Sequence, residues 1–183
     1  MQDVETGTLW SHILGQAMRG PLAGARLEIV PSLFTTWREW RRLHPETTVV
    51  LLSRTSARYR AEIYRNRGDF VIGVKLGEES KAWSFDRLRR TPVLNETVAD
   101  TPILIVFNPE TGNAVAWKRA TKTGVLTFAR LESGQLRDRE TGSSWDGMRG
   151  ICVAGALKGT TLEHIPALIS YRRAWQAFYG TAD

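Results

Sequence analysis

An eight-residue motif that occurs twice limits what this chain can fold into. DVETGTLW begins at residue 3, and DRETGSSW begins at residue 138. The similarity continues without a gap over residues 3–40 and 138–175, and the identical positions include four glycine pairs and two tryptophan pairs. A gapless match of this length indicates an internal duplication. We call the two octads the N-terminal motif and the C-terminal motif.

The residues that the motifs share are those that a tight turn with a buried tryptophan requires. Glycine can adopt a positive φ, and an aspartate side chain can accept hydrogen bonds from nearby backbone N–H groups. Thr8 and Ser143 are predicted to cap a short helical turn. The residues assigned to this scaffold are Thr6, Gly7, Trp10, Thr141, Gly142, Ser143 and Trp145.

Each copy, 3–47 and 138–182, continues with a glycine-bounded β-hairpin and then an amphipathic helix. The helix prediction rests on apolar spacing after a proline, with Ser32 as a candidate N-cap. The apolar positions are Leu33, Trp37 and Trp40 in the first copy and Leu168, Trp175 and Phe178 in the second. Core packing is the favoured role of the repeated tryptophans.

The central region, 48–137, is rich in strand patterns separated by turn signals. Its strand candidates are TVVLLS, FVIGVKL, SKAWSF, PILIVF, AVAWKR and VLTFARL. No linker divides the chain, so we expect one domain over residues 1–183. The predicted fold class is α+β and mainly β. Two turn–hairpin–helix copies are expected to flank a central, largely antiparallel sheet with pseudo-symmetry.

Composition excludes several classes of protein. Hydrophobic residues are 42% and charged residues 24%, as in soluble globular proteins. No apolar run approaches the roughly 20 residues of a membrane span, and the first residues predict no signal peptide. The only cysteine, Cys152, excludes an internal disulfide, is predicted to be an inert core thiol and leaves the compartment undetermined.

A net charge of +6 raises the question of nucleic-acid binding. The basic residues are 20 Arg and 5 Lys, spread along the whole chain, which favours general surface use over a phosphate-binding stripe. The densest cluster lies in 54–67 and combines Arg54, Arg58, Arg60, Arg65 and Arg67 with Tyr59 and Tyr64. Nucleic-acid binding through this segment is retained as a second alternative function.

The approaches to the two motifs differ. A strand-rich stretch, VLTFARLESGQLR, precedes the C-terminal motif, whereas only Met1 and Gln2 precede the N-terminal motif. If approach strands pair with the motif, the first copy lacks its partner. A dimer mate or a longer gene product would supply it, and the unpaired edge is a site for homo-oligomerisation.

The pattern D-x-E-T-G-[ST]-x-W, followed by spaced glycines, a proline and a tryptophan-containing helix, resembles the family called domain of unknown function 3179. NETVADTPILIV at 95–106 and NPETGNAVAW at 108–117 resemble further segments of that family. The resemblance covers nearly the whole chain and implies no activity. The resemblance implies that some family members are exported, have longer N-termini and contain a segment with cysteines. Here Asn108, Glu110 and Thr111 occupy the matching stretch without cysteine, so thiol or metal–thiolate chemistry is not supported.

The acidic residues of the motifs, Asp3, Glu5, Asp138 and Glu140, are the sharpest catalytic candidates. If the copies pack about a pseudo-two-fold axis, the carboxylates could converge as a divalent-cation or acid–base site. Turn chemistry alone accounts for the same positions and is favoured. No metal ligands are assigned, and no cofactor is evident from the sequence.

Polar residues at the entry of the strongest strand run are candidate ligand-binding groups. Asn95 and Glu96 precede that strand, and Lys118 and Arg119 follow the facing strand. Together they could bind an anionic ligand of unknown identity.

The leading hypothesis for the whole chain is a non-catalytic binding or assembly module formed by the duplicated unit. The first alternative is an enzyme or metal-dependent site that uses the acidic motifs.

Overall fold

The computed structural model describes residues 1–28, 30, 35–49 and 67–180. The described chain is mainly β, with antiparallel sheets and short helices, so the predicted α+β fold class is confirmed. In chain order its first elements are β1 (Leu9–Ser11), β2 (Gln16–Arg19), α1 (Trp37–Leu43), a 3-10 turn (Arg67–Asp69), β3 (Phe70–Leu76), β4 (Glu79–Ser84) and α2 (Phe85–Arg90).

The remaining elements form the larger part of the sheets. They are β5 (Val93–Val98), β6 (Thr101–Asn108), β7 (Asn113–Lys118), β8 (Ala120–Thr121), β9 (Gly124–Val125), β10 (Phe128–Arg130), β11 (Leu136–Asp138), β12 (Ser144–Asp146), β13 (Ile151–Ala154), β14 (His164–Ile165), β15 (Ala167–Tyr171) and α3 (Arg172–Tyr179). Among the described residues, no helix is both long and apolar enough to cross a membrane.

The central region does not form one shared sheet. Strands β8 and β9 pair with each other and β10 joins β11 to β13, while β3 to β7 fall into two sheets. One has the order β14-β7-β6-β5 and the other β15-β3-β4, so strands of the second copy complete both. The β6 run is buried on both faces. Ile103 and Ile105 pack toward β3 and β4, while Leu104 and Val106 pack toward the sheet of β10 to β13. Burial on both faces explains why this strand is continuously apolar instead of alternating.

Helix α3 covers the outer face of the β15-β3-β4 sheet. Its Trp175 is buried against Val71 and Ala82. Gly73 lies directly beneath the indole, and a Cβ at this position would come within 2.1 Å of the ring. Burial of Trp175 agrees with the predicted core role, whereas Phe178 on the same helix is exposed.

The helices begin later than the sequence pattern predicts. Leu168 belongs to β15 and pairs with Gly73, because the run from Ala167 to Tyr171 completes a sheet instead of starting a helix. In the first copy, Thr36 caps α1 by accepting a hydrogen bond from the Glu39 N–H at 3.2 Å. Ser32, Leu33 and most of TVVLLS lie outside the described residues.

The two copies differ in how they meet the sheets. The hairpin β1–β2 forms its own two-stranded sheet, and the Tyr179 hydroxyl of α3 donates a 2.9 Å hydrogen bond to the Ile13 carbonyl beside it. The equivalent hairpin β12–β13 is half of a four-stranded sheet. Trp37 of α1 is half-exposed, so the prediction that this tryptophan packs in the core is wrong. A pseudo-symmetric arrangement of the whole copies stays a prediction.

Candidate functional site

In the C-terminal motif, one buried carboxylate organises the whole turn. Asp138 Oδ1 accepts hydrogen bonds from the Thr141 N–H at 2.6 Å and from the Thr141 hydroxyl at 2.8 Å, and Oδ2 accepts one from Trp145 Nε1 at 2.8 Å. The Ser143 hydroxyl lies 2.7 Å from that of Thr141 and accepts a hydrogen bond from the Leu157 N–H. Asp138 therefore fixes both the turn and the orientation of the indole.

The N-terminal motif has the same network. Asp3 Oδ1 accepts hydrogen bonds from the Thr6 N–H at 2.7 Å and the Thr6 hydroxyl at 2.8 Å, and Oδ2 accepts one from Trp10 Nε1 at 2.8 Å. Thr8 takes the place of Ser143 and accepts a hydrogen bond from the Leu22 N–H. Because the network depends on the motif's own side chains, both copies form it.

The sequence pattern predicts that Thr8 and Ser143 each cap a helical turn. In the structure neither of them does. The residues that follow each of them form the strands β1 and β12. Each of these strands pairs with the next strand through a register shift at the same position of the repeat. The Thr8 and Ser143 hydroxyls instead reach across their hairpins to the far end. Each hydroxyl therefore ties its motif to the loop after the second strand.

A glycine in that loop allows the close approach. Gly155 has a φ of +99°, and a Cβ there would lie 2.7 Å from the Ser143 Cα. Gly20 has a φ of +114°, and its Cβ would lie 2.8 Å from the Thr8 Cα. Both the positive φ and the contact exclude a side chain, which explains why this glycine occurs in both copies.

The hydrogen bonds lower the pKa of both aspartates. At Asp3, the Trp10 indole and then the Thr6 N–H lower the pKa from 3.8 to about 2. At Asp138, burial alone would raise the pKa, but the hydrogen bonds from Trp145, Thr141 and Ser143 outweigh it and the pKa is lowered. Each aspartate is therefore held as the ionised acceptor of its own turn.

The glutamates of the two motifs differ in their partners. Glu140 Oε2 accepts a 2.8 Å hydrogen bond from the Thr127 N–H just before β10. Burial alone would raise the pKa of Glu140, but the hydrogen bonds from Thr127 outweigh this effect and lower it. Glu5 is exposed, and no described residue hydrogen-bonds its carboxylate. Among the described residues, no group of three or more His, Cys, Asp or Glu side chains is arranged to hold a metal ion.

Of the ligand candidates at the strand entry, Asn95 joins two sheets. Its Nδ2 donates to the Phe128 carbonyl and its Oδ1 accepts from the Phe128 N–H, both at 2.8 Å. This bidentate contact holds β10 beside β5. The role was missed by sequence reasoning, because nothing in the sequence relates residues 33 positions apart.

The other three candidates also contact protein groups. Glu96 accepts hydrogen bonds from Lys81 at 2.7 Å and Arg87 at 3.2 Å. Lys118 pairs with a glutamate at 3.2 Å. Arg119 donates to three backbone carbonyls, those of Ile103, Leu126 and Glu96. Burial lowers the pKa of the Arg119 guanidinium, and the nearby Glu140 and Glu96 carboxylates oppose that shift.

The apolar residues beside the two motifs differ most in exposure. At the C-terminal motif, Leu136 is 1% exposed and Leu162 is 4% exposed, beneath β10 and the β5-β6-β7 strands. Their equivalents Met1 and Leu27 are 65% and 47% exposed. They border a cleft of about 440 Å³, the N-terminal cleft, which is lined by Met1, Gln2, Asp3, Glu5, Thr6, Trp10, Leu22 and Leu27.

A second cleft, of about 500 Å³, lies between the central region and the hairpin β12–β13 of the second copy. Its polar wall includes Asn108, Glu110, Arg130, Glu132 and Asp146. Asn108 and Asp146 each use a side-chain oxygen to accept hydrogen bonds from backbone N–H groups of their own turns.

The Arg and Tyr residues at 54, 58, 59, 60, 64 and 65 lie outside the described residues, as does the side chain of Arg67.

The family assignment rests on a match to a family model over the whole chain. The model of the family described as protein of unknown function DUF3179 matches residues 1–67 and 59–183. The chain belongs to this family. Each matched segment of this DUF3179 chain contains one copy of the motif, and together the segments span every residue. No curated protein and no solved structure matches the chain.

Proposed function

We propose that this DUF3179 chain is a non-catalytic binding and assembly module that associates with another polypeptide through the N-terminal cleft. One observation carries the proposal: the two motifs have the same hydrogen bonds, but the apolar residues beside them are buried in one copy and exposed in the other. The C-terminal motif is enclosed by β10 and the central strands, whereas Met1 and Leu27 beside the N-terminal motif are exposed around Trp10. Exposed apolar surface of this kind commonly marks an interaction site.

The aspartates support a scaffold role over acid–base chemistry. In each motif both carboxylate oxygens accept hydrogen bonds from the same turn. A lowered pKa also makes each a weaker base than a free aspartate. Substrate turnover that is lost in Glu5→Gln and Glu140→Gln would favour the alternative of an acidic catalytic site and would contradict this proposal.

Site-specific photocrosslinking tests the proposal directly. A photoreactive amino acid at Leu27, inside the cleft, is compared with one at Met18, which is similarly exposed but lies outside the cleft lining. We expect position 27 to crosslink to one polypeptide segment, identified by mass spectrometry, and position 18 to give no such product. Equal products from both positions, or none from either in the producing cells, would contradict the proposal.

A further inference from the structure

We infer that the N-terminal cleft receives an extended segment that pairs antiparallel with residues 1–3 and places an aromatic side chain against Trp10. The inference rests on the proposed function and names the class of partner. Its template is inside the same chain, where the segment Leu126–Arg130 covers the C-terminal motif. The chain therefore shows what a completed motif looks like.

The backbone register defines where the segment would lie. Strand β10 pairs antiparallel with β11, with Phe128 opposite Asp138 and Arg130 opposite Leu136. Residues 1–3 occupy the position of β11 in the first copy, since Gln2 bridges to Leu9 and the Trp10 N–H donates to the Met1 carbonyl at 2.7 Å. The outer edge of residues 1–3 is thus the counterpart of the edge that β10 covers.

Polar groups at this edge match those that hold the template. The Arg139 N–H donates to the Thr127 carbonyl at 2.9 Å, and Glu140 accepts from the Thr127 N–H. Their counterparts are the Val4 N–H and the Glu5 carboxylate, and neither has a hydrogen-bond partner among the described residues. Both are positioned for one residue of an incoming strand, as in recognition by strand addition.

The template places an aromatic residue, Phe128, opposite the aspartate of the motif. Phe128 packs edge-on against Trp145, with ring centroids 5.5 Å apart and the ring planes at 84°. Trp10 is fixed by Asp3 in the same way as Trp145 is by Asp138. A Phe, Tyr or Trp opposite Asp3 would make the same edge-to-face contact, which is the favoured geometry for aromatic pairs.

The probe for this inference is a labelled peptide with the sequence of residues 124–130, GVLTFAR, added to the full chain. Fluorescence anisotropy measures its binding to the native protein and to Leu27→Lys. The control protein is Met18→Lys, whose side chain is exposed on β2 outside the cleft lining. The control peptide carries Phe128→Ala, and circular dichroism confirms that each protein variant is folded.

We expect saturable binding that weakens about tenfold or more in Leu27→Lys and with the Phe128→Ala peptide, and that is unchanged in Met18→Lys. Absence of saturable binding, or equal affinity of the peptide for all three proteins and of the native protein for both peptides, would overturn the inference. If the protein self-associates, the peptide is expected to disperse the oligomer. An oligomer that Leu27→Lys disperses but excess peptide leaves intact would overturn this inference and leave the proposed function standing.

Discussion

The two motifs differ in their surroundings and not in their internal hydrogen bonds. Trp10 and Trp145 each donate to an aspartate at 2.8 Å, and the Thr8 and Ser143 hydroxyls each accept an N–H from the far end of a hairpin. Yet Trp145 is fully buried, whereas Trp10 borders a cleft. Local side chains are sufficient to build the motif, and burial depends on strands contributed from elsewhere.

Truncation of the tryptophans gives the largest expected difference between the motifs. Trp145→Ala removes a fully buried ring from the core and is expected to lower the free energy of unfolding by about 3–5 kcal/mol. Trp10→Ala affects a half-buried ring and is expected to cost less than about 1.5 kcal/mol. Denaturation in guanidinium chloride measures both, and equal losses would mean that the two motifs are equally part of the core.

The leucine pair removes the same number of atoms from both copies. Leu162→Ala leaves a cavity in the core and is expected to cost about 2–4 kcal/mol. Leu27→Ala changes an exposed side chain, so the free energy of unfolding is expected to stay within about 0.5 kcal/mol. Urea denaturation checks both values, and a large loss in Leu27→Ala would show that its surface is already covered.

The hydroxyl pair separates local from global effects. Ser143→Ala leaves the Leu157 N–H without its acceptor and is expected to cost about 1–2 kcal/mol of global stability. Thr8→Ala removes the equivalent acceptor from Leu22, so it is expected to speed amide exchange in the first hairpin with little change in global unfolding. Amide exchange by NMR follows both residues. Slower or unchanged exchange at Leu22 in Thr8→Ala would argue against the network.

The smallest effect is the acid titration of the N-terminal motif. The pKa of Asp3 is lowered to about 2, so its ionised form stabilises the motif above the ordinary pKa of 3.8. That contribution is lost as pH falls through about 2. The NMR shift of the Trp10 indole N–H is expected to titrate in this range and to stay constant in Asp3→Asn. A midpoint near pH 4 would show that the hydrogen bond is weak.

The mainly β class and the strands β3, β6 and β7 were predictable from sequence periodicity. The buried Cys152 was also predictable, because it lies in an apolar strand pattern. The start of α3 was not, since Leu168 and its neighbours fit a helical spacing and only pairing with β3 makes them a strand. Long-range pairings of this kind are decided by tertiary packing and leave no local signal.

The candidate site shows the same division. The role of Asp138 in its turn follows from residue type and spacing, and the structure places its partners within three to seven positions. The polarity of Asn95 and Arg119 near strand ends predicts only that they could bind a ligand. Their actual partners, the backbone groups of Phe128 and Leu126, could not be read from the sequence. The N-terminal cleft has no sequence signal, because it depends on the exposure of residues whose equivalents in the second copy are buried.

The C-terminal motif is completed by β10 of its own chain, and we propose that the N-terminal motif accepts a partner strand. Native-state amide exchange of residues 2–10 and 137–145, without and with the 124–130 peptide, tests it most directly. The amides of residues 137–145 are expected to exchange only through global unfolding, with or without the peptide. The amides of residues 2–10 are expected to exchange much faster in the free protein and to be slowed when the peptide is added. Equal protection of both segments in the free protein, or exchange at residues 2–10 that the peptide leaves unchanged, would contradict the claim.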